Sequence, residues 1–381
     1  MSLLKDIVTI EKGRKYNLLD SFEQDAIRVF QANDFRNENK PLYTFDDDGV
    51  LANEDDIMLV WDGSVGQMGF GREGYVGSTM VKLKVKNKKE FSPFFIFKFL
   101  QTKSEYLKRK STGATIMHIN RKSLEQLEIP KLSYSDQIQI ANILSKAETL
   151  IEQRKQSIAL LDEYLKSTYS EMFGQMNEKN FPLEKLDDIS TKINDGEHGS
   201  VEKTETGVLY LMARNINRQN EIDLKEISFV SREAHKKMFK RCNPEKGDIL
   251  IVCVGATIGK VVIVPVMEEF SIARSVALVK PDYKKVNSKY LLWYFNSALA
   301  KRQIKSSSLT AAQAGLYIGK IKEIKIPVPP LTIQNKFSDI VTKAETLKEQ
   351  YKNSLVELEN LYGSLSQRAF KGELEMKMQT L

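Results

Sequence analysis

Apolar residues recur with two different periods along this 381-residue chain. Alternation or short unbroken runs mark one kind of region. "MVKLKVK" (Met80–Lys86) alternates apolar residues with lysine, as a half-exposed strand does. "DILIVCVG", from Asp248, is a continuous apolar run closed by glycine and predicts a buried strand. "SPFFIFKFLQTKSEYLKR" and "SKYLLWYFNSALAKRQI" each predict an amphipathic helix closing such a region. The second kind has alternating spacings of three and four: Leu144, Ala147, Ile151, Arg154, Ile158, Leu161, Leu165, Thr168, Met172. Val341, Ala344, Lys348, Tyr351, Leu355, Leu358, Tyr362, Leu365 and Ala369 repeat that heptad seam, which needs a partner helix.

The long helices are expected to start near Ser135 and Thr332, each as an N-cap. They should end near Phe173-Gly174 and Phe370-Lys371-Gly372, where glycine closes the last turn. A helix of about 36 residues is a rod of roughly 54 Å.

The two halves are copies. "KAETL" stands at Lys146–Leu150 and again 197 positions later at Lys343–Leu347, with Glu152/Glu349, Lys155/Lys352 and Leu161/Leu358 in the same register. Upstream, "LEIPKLSYSDQIQIANIL" aligns with "IKIPVPPLTIQNKFSDIV", and "DIMLVWDGSVG" with "DILIVCVGATIG". The offset grows from about 182 to 192 between Phe35 and Asp56, so the second copy carries a longer connection there. A repeat this long is a duplicated domain; solenoid units run to only about 20–50 residues. Because a compact module of ~150 residues has a radius of gyration near 15 Å, the helix entering the second module and the helix leaving it are close, and should pack antiparallel. The expected fold is α+β: two duplicated α/β modules separated by an antiparallel two-helix coiled coil, pseudo-twofold symmetric. The segments are a first module over 1–133, a spacer helix over 134–178, a second module over 179–330 and a second spacer helix over 331–381.

Composition changes little in this picture. The chain is 41% hydrophobic and 28% charged, enough for two or three cores. No apolar run approaches bilayer length and no signal-peptide core is evident, so the expected location is the cytoplasm. The net charge of +7 favours a polyanionic partner, although the acidic residues are interspersed with the basic ones and any basic surface must be local. Cys242 and Cys253 read as buried thiols, since two cysteines make neither a disulfide framework nor a zinc site.

Motifs for chemistry fail on their spacing. "GATIGKV" (Gly255–Val261) has three residues between its glycines, and valine after the lysine. A phosphate loop needs four residues and a hydroxyl, so this reads as a tight turn between strands. "CNPEKGD" lacks the aromatic residue with which an adenine methyltransferase stacks its flipped base. His118, His198 and His235 have no second metal ligand at a suitable spacing. No catalytic residue and no cofactor is assigned to this chain.

The order of module, proline-glutamine segment and long helix, twice over, resembles the DNA-specificity subunits of Type I restriction–modification enzymes. "GDILIVCVGATIGKVVIV" and "IPVPPLTIQNKF" are the most typical pieces; "DDIMLVWDGSVGQMGF" and "IPKLSYSDQIQIA" are looser versions in the right places. The resemblance implies that each module is a target recognition domain reading one half of a split sequence in double-stranded DNA. It implies two methyltransferase subunits docked on the helices, and restriction subunits, with methylation at adenine N6. S-adenosylmethionine, ATP and Mg would be held by those partners.

Candidate DNA-contacting residues lie in loops at equivalent places. "EKGRKYN" supplies Arg14 and Lys15, and "NDGEHGS" supplies Glu197 and His198, for base edges or phosphates; the alternative is a plain solvated loop. "LKRKSTGATIMHINRK" pairs with "KRQIKSSSLTAAQAGLYIGK", mixing basic, hydroxyl and small residues that let backbone approach phosphate. Lys110, Ser111, Thr115, Arg121, Ser308 and Gln313 stand out there. Arg214 and Asn215 occupy the place of Asn33 and Asp34, where capping a strand end would also suit all four. Trp61 reads as packing beside the core. On the helices, Ile158, Leu161, Leu355 and Leu358 are the candidate partner-binding residues. Two other readings remain: a structural adaptor whose modules bind proteins, and a specificity half separated from an enzyme domain. DNA binding and the identity of co-purifying proteins separate them.

Overall fold

The computed structural model describes residues 1–35, 40–174, 181–199, 201–217, 219–308 and 315–373. The chain forms two compact units, one of residues 1–156 with 352–381 and one of residues 157–351. Each combines one module with parts of both long helices, Tyr134–Tyr169 and Leu331–Lys371. No helix among the described residues is long and apolar enough to cross a membrane.

In the first unit, β1 (Ser2–Leu3) pairs with β10 (Glu128–Ile129). An antiparallel sheet has the order β2 (Val8–Lys12), β9 (Met80–Val85), β6 (Ile57–Val60), β7 (Met68–Gly69). A second sheet runs β4 (Leu42–Thr44), β3 (Ile27–Phe30), β8 (Gly74–Val76), β5 (Leu51–Ala52), with β3 and β8 parallel. The lysine alternation of β9 survives: Val81, Leu83 and Val85 are buried while Lys84 is exposed. All four residues of β6 are buried because both its faces are covered. Ile57 and Leu59 face the core containing Phe95 and Phe99, whereas Met58 and Val60 face Phe30, Val76 and Met80.

The second unit repeats this plan. β11 (Leu183–Lys185) pairs with β19 (Lys325–Pro327). The antiparallel sheet is β12 (Ser190–Asp195), β18 (Val276–Pro281), β15 (Ile249–Val252), β16 (Val261–Ile263). A further sheet is β14 (Phe229–Val230), β13 (Val208–Leu211), β17 (Phe270–Ile272), with β13 and β17 parallel. β15 is the buried run foreseen from "DILIVCVG", again divided between two cores: Ile249 and Ile251 in one, Leu250 and Val252 in the other. The longer connection of this copy is the helix Arg232–Arg241, where the first copy has the short β5. The aspartate that opens each buried run caps its own turn. Asp56 accepts from the Asn53 amide at 3.0 Å, and Asp248 from the Glu245 amide at 2.8 Å.

Both heptad seams are buried or half-buried at every position from Leu144 to Met172 and from Val341 to Ala369. In the first unit Tyr362 Oη donates to Glu148 at 2.7 Å and Lys155 pairs with Glu359 at 2.9 Å, an antiparallel progression. In the second, Lys348 meets Asp162 at 2.6 Å, and Phe173 packs edge-on against Phe337 with ring centres 5.3 Å apart. Lysine is tolerated at this seam position because the facing long helix supplies the Asp162 carboxylate.

Three local expectations change. The first long helix is capped by Ser133, whose Oγ accepts from the Asp136 amide at 3.1 Å, and not by Ser135. The second starts at Leu331 directly after Pro330, so Thr332 is already inside it. The helix closing each module is two helices: Pro93–Thr102 then Ser104–Lys110, and Ser288–Asn296 then Ala298–Ser308. Lys103 and Ser297 take non-helical dihedrals at the breaks. The helix ends agree with the glycine rule at Gly372, whose φ is +76°; at Gly174 the chain first widens into a π turn over Ser170–Gly174.

Candidate nucleic-acid interface

The loops that follow β2 and β12 are built alike. Gly13 and Gly196 are buried, and a side chain on either would collide with backbone: Gly77 O at 2.2 Å and Ile272 O at 2.1 Å. Only glycine lets the loop run this close to the end of β8 or β17. The next residues, Arg14 and Glu197, form parallel bridges to Gly77 and Ala273. Different side chains are thus displayed at one position of a shared frame, Arg14-Lys15 in one unit and Glu197-His198 in the other.

Arg14 and Lys15 are exposed; Arg14 pairs with Asp48 at 2.6 Å. Glu197 accepts from the Gly199 amide at 3.0 Å, and the exposed His198 pairs through Nε2 with Asp195 at 2.6 Å. Arg214 is tied locally: Nη2 donates to Ser228 at 2.8 Å and Nε to the Glu226 carbonyl at 3.3 Å. Asn215 is buried and closes its own turn through the Met212 amide at 3.0 Å. Asp34 does likewise for the Gln31 amide at 2.6 Å.

The basic-hydroxyl loop of the first unit lies at the same sheet end as Arg14. Lys110 ends its helix, exposed, and Ser111 Oγ donates back to the Lys108 carbonyl at 2.5 Å. Thr112 and His118 exchange backbone hydrogen bonds of 2.9 and 2.7 Å, closing a hairpin with Thr115 exposed on it. Ile119 N donates to Trp61 O at 3.0 Å and Gly63 N to Met117 O at 2.8 Å, docking the hairpin on the chain leaving β6. Arg121 is exposed and pairs with Glu125 at 2.7 Å. Trp61 packs against the main core, as expected. In the second unit Leu316 N donates to Cys253 O at 2.8 Å in the equivalent place. Ser308 is the last residue of its helix, and Gln313 lies outside the described residues.

Sequence reasoning overlooked the polar clusters beside these loops. Asp62, just after β6, accepts from Lys12 Nζ at 2.6 Å and from His118 Nδ1 at 2.7 Å. Partial burial pushes the Asp62 carboxyl up, but the hydrogen bonds from Lys12 and His118 outweigh it and hold it below the ordinary carboxylate value. In the second unit, Asp195 pairs with Arg241 at 2.7 Å as well as with His198. Its hydrogen bond holds the Arg241 guanidinium above its ordinary value. Arg274, exposed in the turn between β17 and β18, donates its amide to the Glu197 carbonyl at 3.2 Å and adds a positive charge there. Lys12 was visible inside "EKGRKYN"; its partners, distant in sequence, had no local signal. The "GATIGKV" stretch is the tight turn expected, with Gly255 and Gly259 at φ +94° and +83°.

The family model of the Type I restriction modification DNA specificity domain matches residues 1–161 and, a second time, 180–360. The chain belongs to this family. Among its relatives is the MjaVIII Type I specificity subunit of Methanocaldococcus jannaschii, 24% identical over 347 residues that cover 86% of this chain and 81% of the relative. The EcoBI specificity subunit of Escherichia coli is 30% identical over 172 residues, 44% of this chain and 36% of that one. The fold is that of the Type I S subunit from M. genitalium: TM-score 0.61, 18% identity, 99% of this chain and 96% of that chain covered. This Type I specificity subunit is a DNA-recognition component of a restriction–modification system and not its enzyme. The adaptor reading is not favoured.

Proposed function

We propose that this specificity subunit reads a bipartite target in double-stranded DNA, one half with each module. We propose further that it brings an adenine-N6 methyltransferase and the restriction subunits to that target. The observation that carries this reading is the shared loop frame after β2 and β12, which displays Arg14-Lys15 in one unit and Glu197-His198 in the other. A common scaffold with unlike polar groups suits two readers of unlike half-sites.

The long helices would dock two methyltransferase subunits. Ile158, Leu161, Leu355 and Leu358 are half-buried along the seams, and their outer flanks leave Leu150, Leu160, Leu347 and Leu361 exposed. Apolar flanks of this kind support helix-mediated assembly. S-adenosylmethionine would belong to the methyltransferase, and ATP and Mg to the restriction subunits, in the cytoplasm where the genome is.

The test is an exchange of residues 179–330 for the corresponding module of another family member, followed by methylome sequencing. One half of the methylated motif should change while the other half stays. A change in both halves would overturn the division of labour between the modules.

A further inference from the structure

Two of the three histidines of this chain are held by a carboxylate that also holds a cation, and both clusters stand beside the loops described above. In the first unit the ring of His118 is 50% exposed on Asp62, which is 22% exposed and shared with Lys12. In the second, His198 is 57% exposed on Asp195, 17% exposed and shared with Arg241. The clusters are not copies of one another in sequence. Lys12 and Asp195 occupy the same strand position, opposite Val81 in β9 and Ala277 in β18, with opposite charges. Asp62 faces His118 across a bridge whose counterpart in the second unit is Val254 to Gly315, two residues without titratable side chains. The same device is therefore assembled from different elements: in the second unit the cation comes from the inserted helix Arg232–Arg241.

An ionised carboxylate only accepts hydrogen bonds, so the histidine nitrogen facing it must carry a proton. That fixes the ring plane and turns the other nitrogen, Nε2 of His118 or Nδ1 of His198, away from the carboxylate. When neutral the outward nitrogen accepts, which matches the exocyclic amine of adenine or cytosine; when charged it donates, which matches guanine O6 or N7. A phosphate contact has less use for this arrangement. A carboxylate directly behind the ring repels phosphate, and phosphate gains nothing from a fixed ring direction. His118 is also anchored through its backbone, by the mutual Thr112 pair and by Ile119 on Trp61. A rigid backbone and a fixed ring are what direct readout requires.

We infer that His118 and His198 each read a base edge in the major groove, one in each half-site, with Asp62 and Asp195 as the positioning residues that aim them. This inference rests on the bipartite reading proposed above, and its test can fail separately. His118→Ala and, for a smaller change of shape, His118→Gln are introduced into the full chain in its assembled enzyme, and the methylome of the strain is sequenced. Discrimination at one base pair of the first module's half-site should fall by roughly ten- to a hundredfold, with the second half-site unchanged. His198→Ala should do the reverse. Asp62→Ala should relax the same base pair as His118→Ala, and the double variant should relax no other. If His118→Gln and His118→Ala leave the motif intact, the inference is wrong while the module exchange still stands. In competition binding by the assembled enzyme, an equal loss on target and unrelated DNA would make His118 a phosphate contact and also overturn it. If the module exchange leaves both half-sites as they were, the bipartite reading itself fails.

Discussion

Gln137 and Gln334 make the same three hydrogen bonds in their respective units. Gln137 accepts from the Ser92 amide at 2.8 Å and donates to the carbonyls of Glu90 at 2.8 Å and Leu132 at 3.1 Å. Gln334 accepts from the Asn287 amide at 2.9 Å and donates to Lys285 O at 3.1 Å and Pro329 O at 2.7 Å. Both side chains are fully buried. Each amide ties the start of a long helix to the segment leading into its module's closing helix, which gives the glutamine of the proline-glutamine motif a mechanical purpose. Replacing either by leucine strands one amide and two carbonyls, each costing ~1–3 kcal/mol when buried and unpaired. Gln137→Leu should destabilise the first unit, and Gln334→Leu the second, by about 3 kcal/mol each. Hydrogen exchange resolved by segment should show each loss confined to its own unit; a uniform loss would contradict independent anchoring.

The loops after β2 and β12, proposed above to contact DNA, depend on two close backbone approaches. Gly13→Ala and Gly196→Ala place Cβ within 2.2 and 2.1 Å of a carbonyl oxygen that cannot move without its strand. Each should weaken target binding at least tenfold and deprotect its loop to hydrogen exchange. Gly363→Ala is the contrasting case. Gly363 lies inside the second long helix, and beyond its own turn of helix nothing among the described residues comes within 4 Å of its added Cβ. It should stabilise the helix by up to ~1 kcal/mol. Thermal unfolding of the three variants gives the ranking directly.

Much of this fold was legible because the sequence states it twice. Heptad spacing located the seams, and the strands β6 and β15 announced themselves by unbroken apolar runs with both faces covered. The breaks at Lys103 and Ser297 were hidden, since apolar periodicity continues across each and only a local change of dihedral angle divides the helices. Capping at Ser133 was missed because Ser135, two residues on, is as good a cap by type. The loop frame at Gly13 and Gly196 could be placed from alignment of the copies. The pairings of Asp62 with His118 and of Asp195 with Arg241 could not, because they join residues 56 and 46 positions apart through tertiary folding.

Burial controls the two thiols. It pushes Cys242 up to about 11 and Cys253 up to about 12, from an ordinary value of 9.0. A folded-state value above the unfolded one means that the neutral form is favoured in the native protein. This contribution to stability is complete below pH 9 and is lost as the pH rises through the folded-state values. Both thiols should resist alkylation at pH 8 and react on unfolding, and stability should fall between pH 9 and 11. In Cys253→Ala that fall should be smaller. Rapid labelling of either cysteine in the native protein at pH 8 would contradict the burial argument.

Lys348 is a polar residue at an apolar seam position, paired with Asp162 through both carboxylate oxygens at 2.6 and 2.7 Å. The side chains are 28% and 48% exposed, so solvent screens the pair and its coupling should be under ~1 kcal/mol. Lys348→Leu should leave stability unchanged or raise it, because leucine completes the seam. Asp162→Ala should cost more than Lys348→Leu, since it leaves a half-buried lysine without its carboxylate. A double-mutant cycle at low and high salt measures the coupling, and a value above 2 kcal/mol would mean that the pair is far drier than its exposure indicates.

The basic hairpin region makes a prediction in which salt is the variable. A protein that neutralises Z phosphates loses affinity with a slope of about −0.9Z in log K against log salt. Lys110 is exposed at the end of its helix beside the hairpin, and among the described residues its ammonium has no ion pair to break before it meets a phosphate. Arg121 is equally exposed but already donates to Glu125 at 2.7 Å, and this pair must open or be shared first. Both alanine variants should weaken binding to target and unrelated DNA alike, because phosphates carry no sequence. Lys110→Ala should reduce the slope by about 0.9 if its ammonium meets one phosphate. Arg121→Ala should reduce it by less, since part of its charge is already balanced, and Glu125→Gln should raise affinity by freeing the arginine. Titrations of labelled duplex with the full chain across 50 to 200 mM salt, roughly the range over which such contacts lose 10³–10⁵ in affinity, measure all three slopes. If Lys110→Ala left the slope unchanged but altered the preference among targets, that lysine would be reading bases and the phosphate assignment of this hairpin would have to be abandoned.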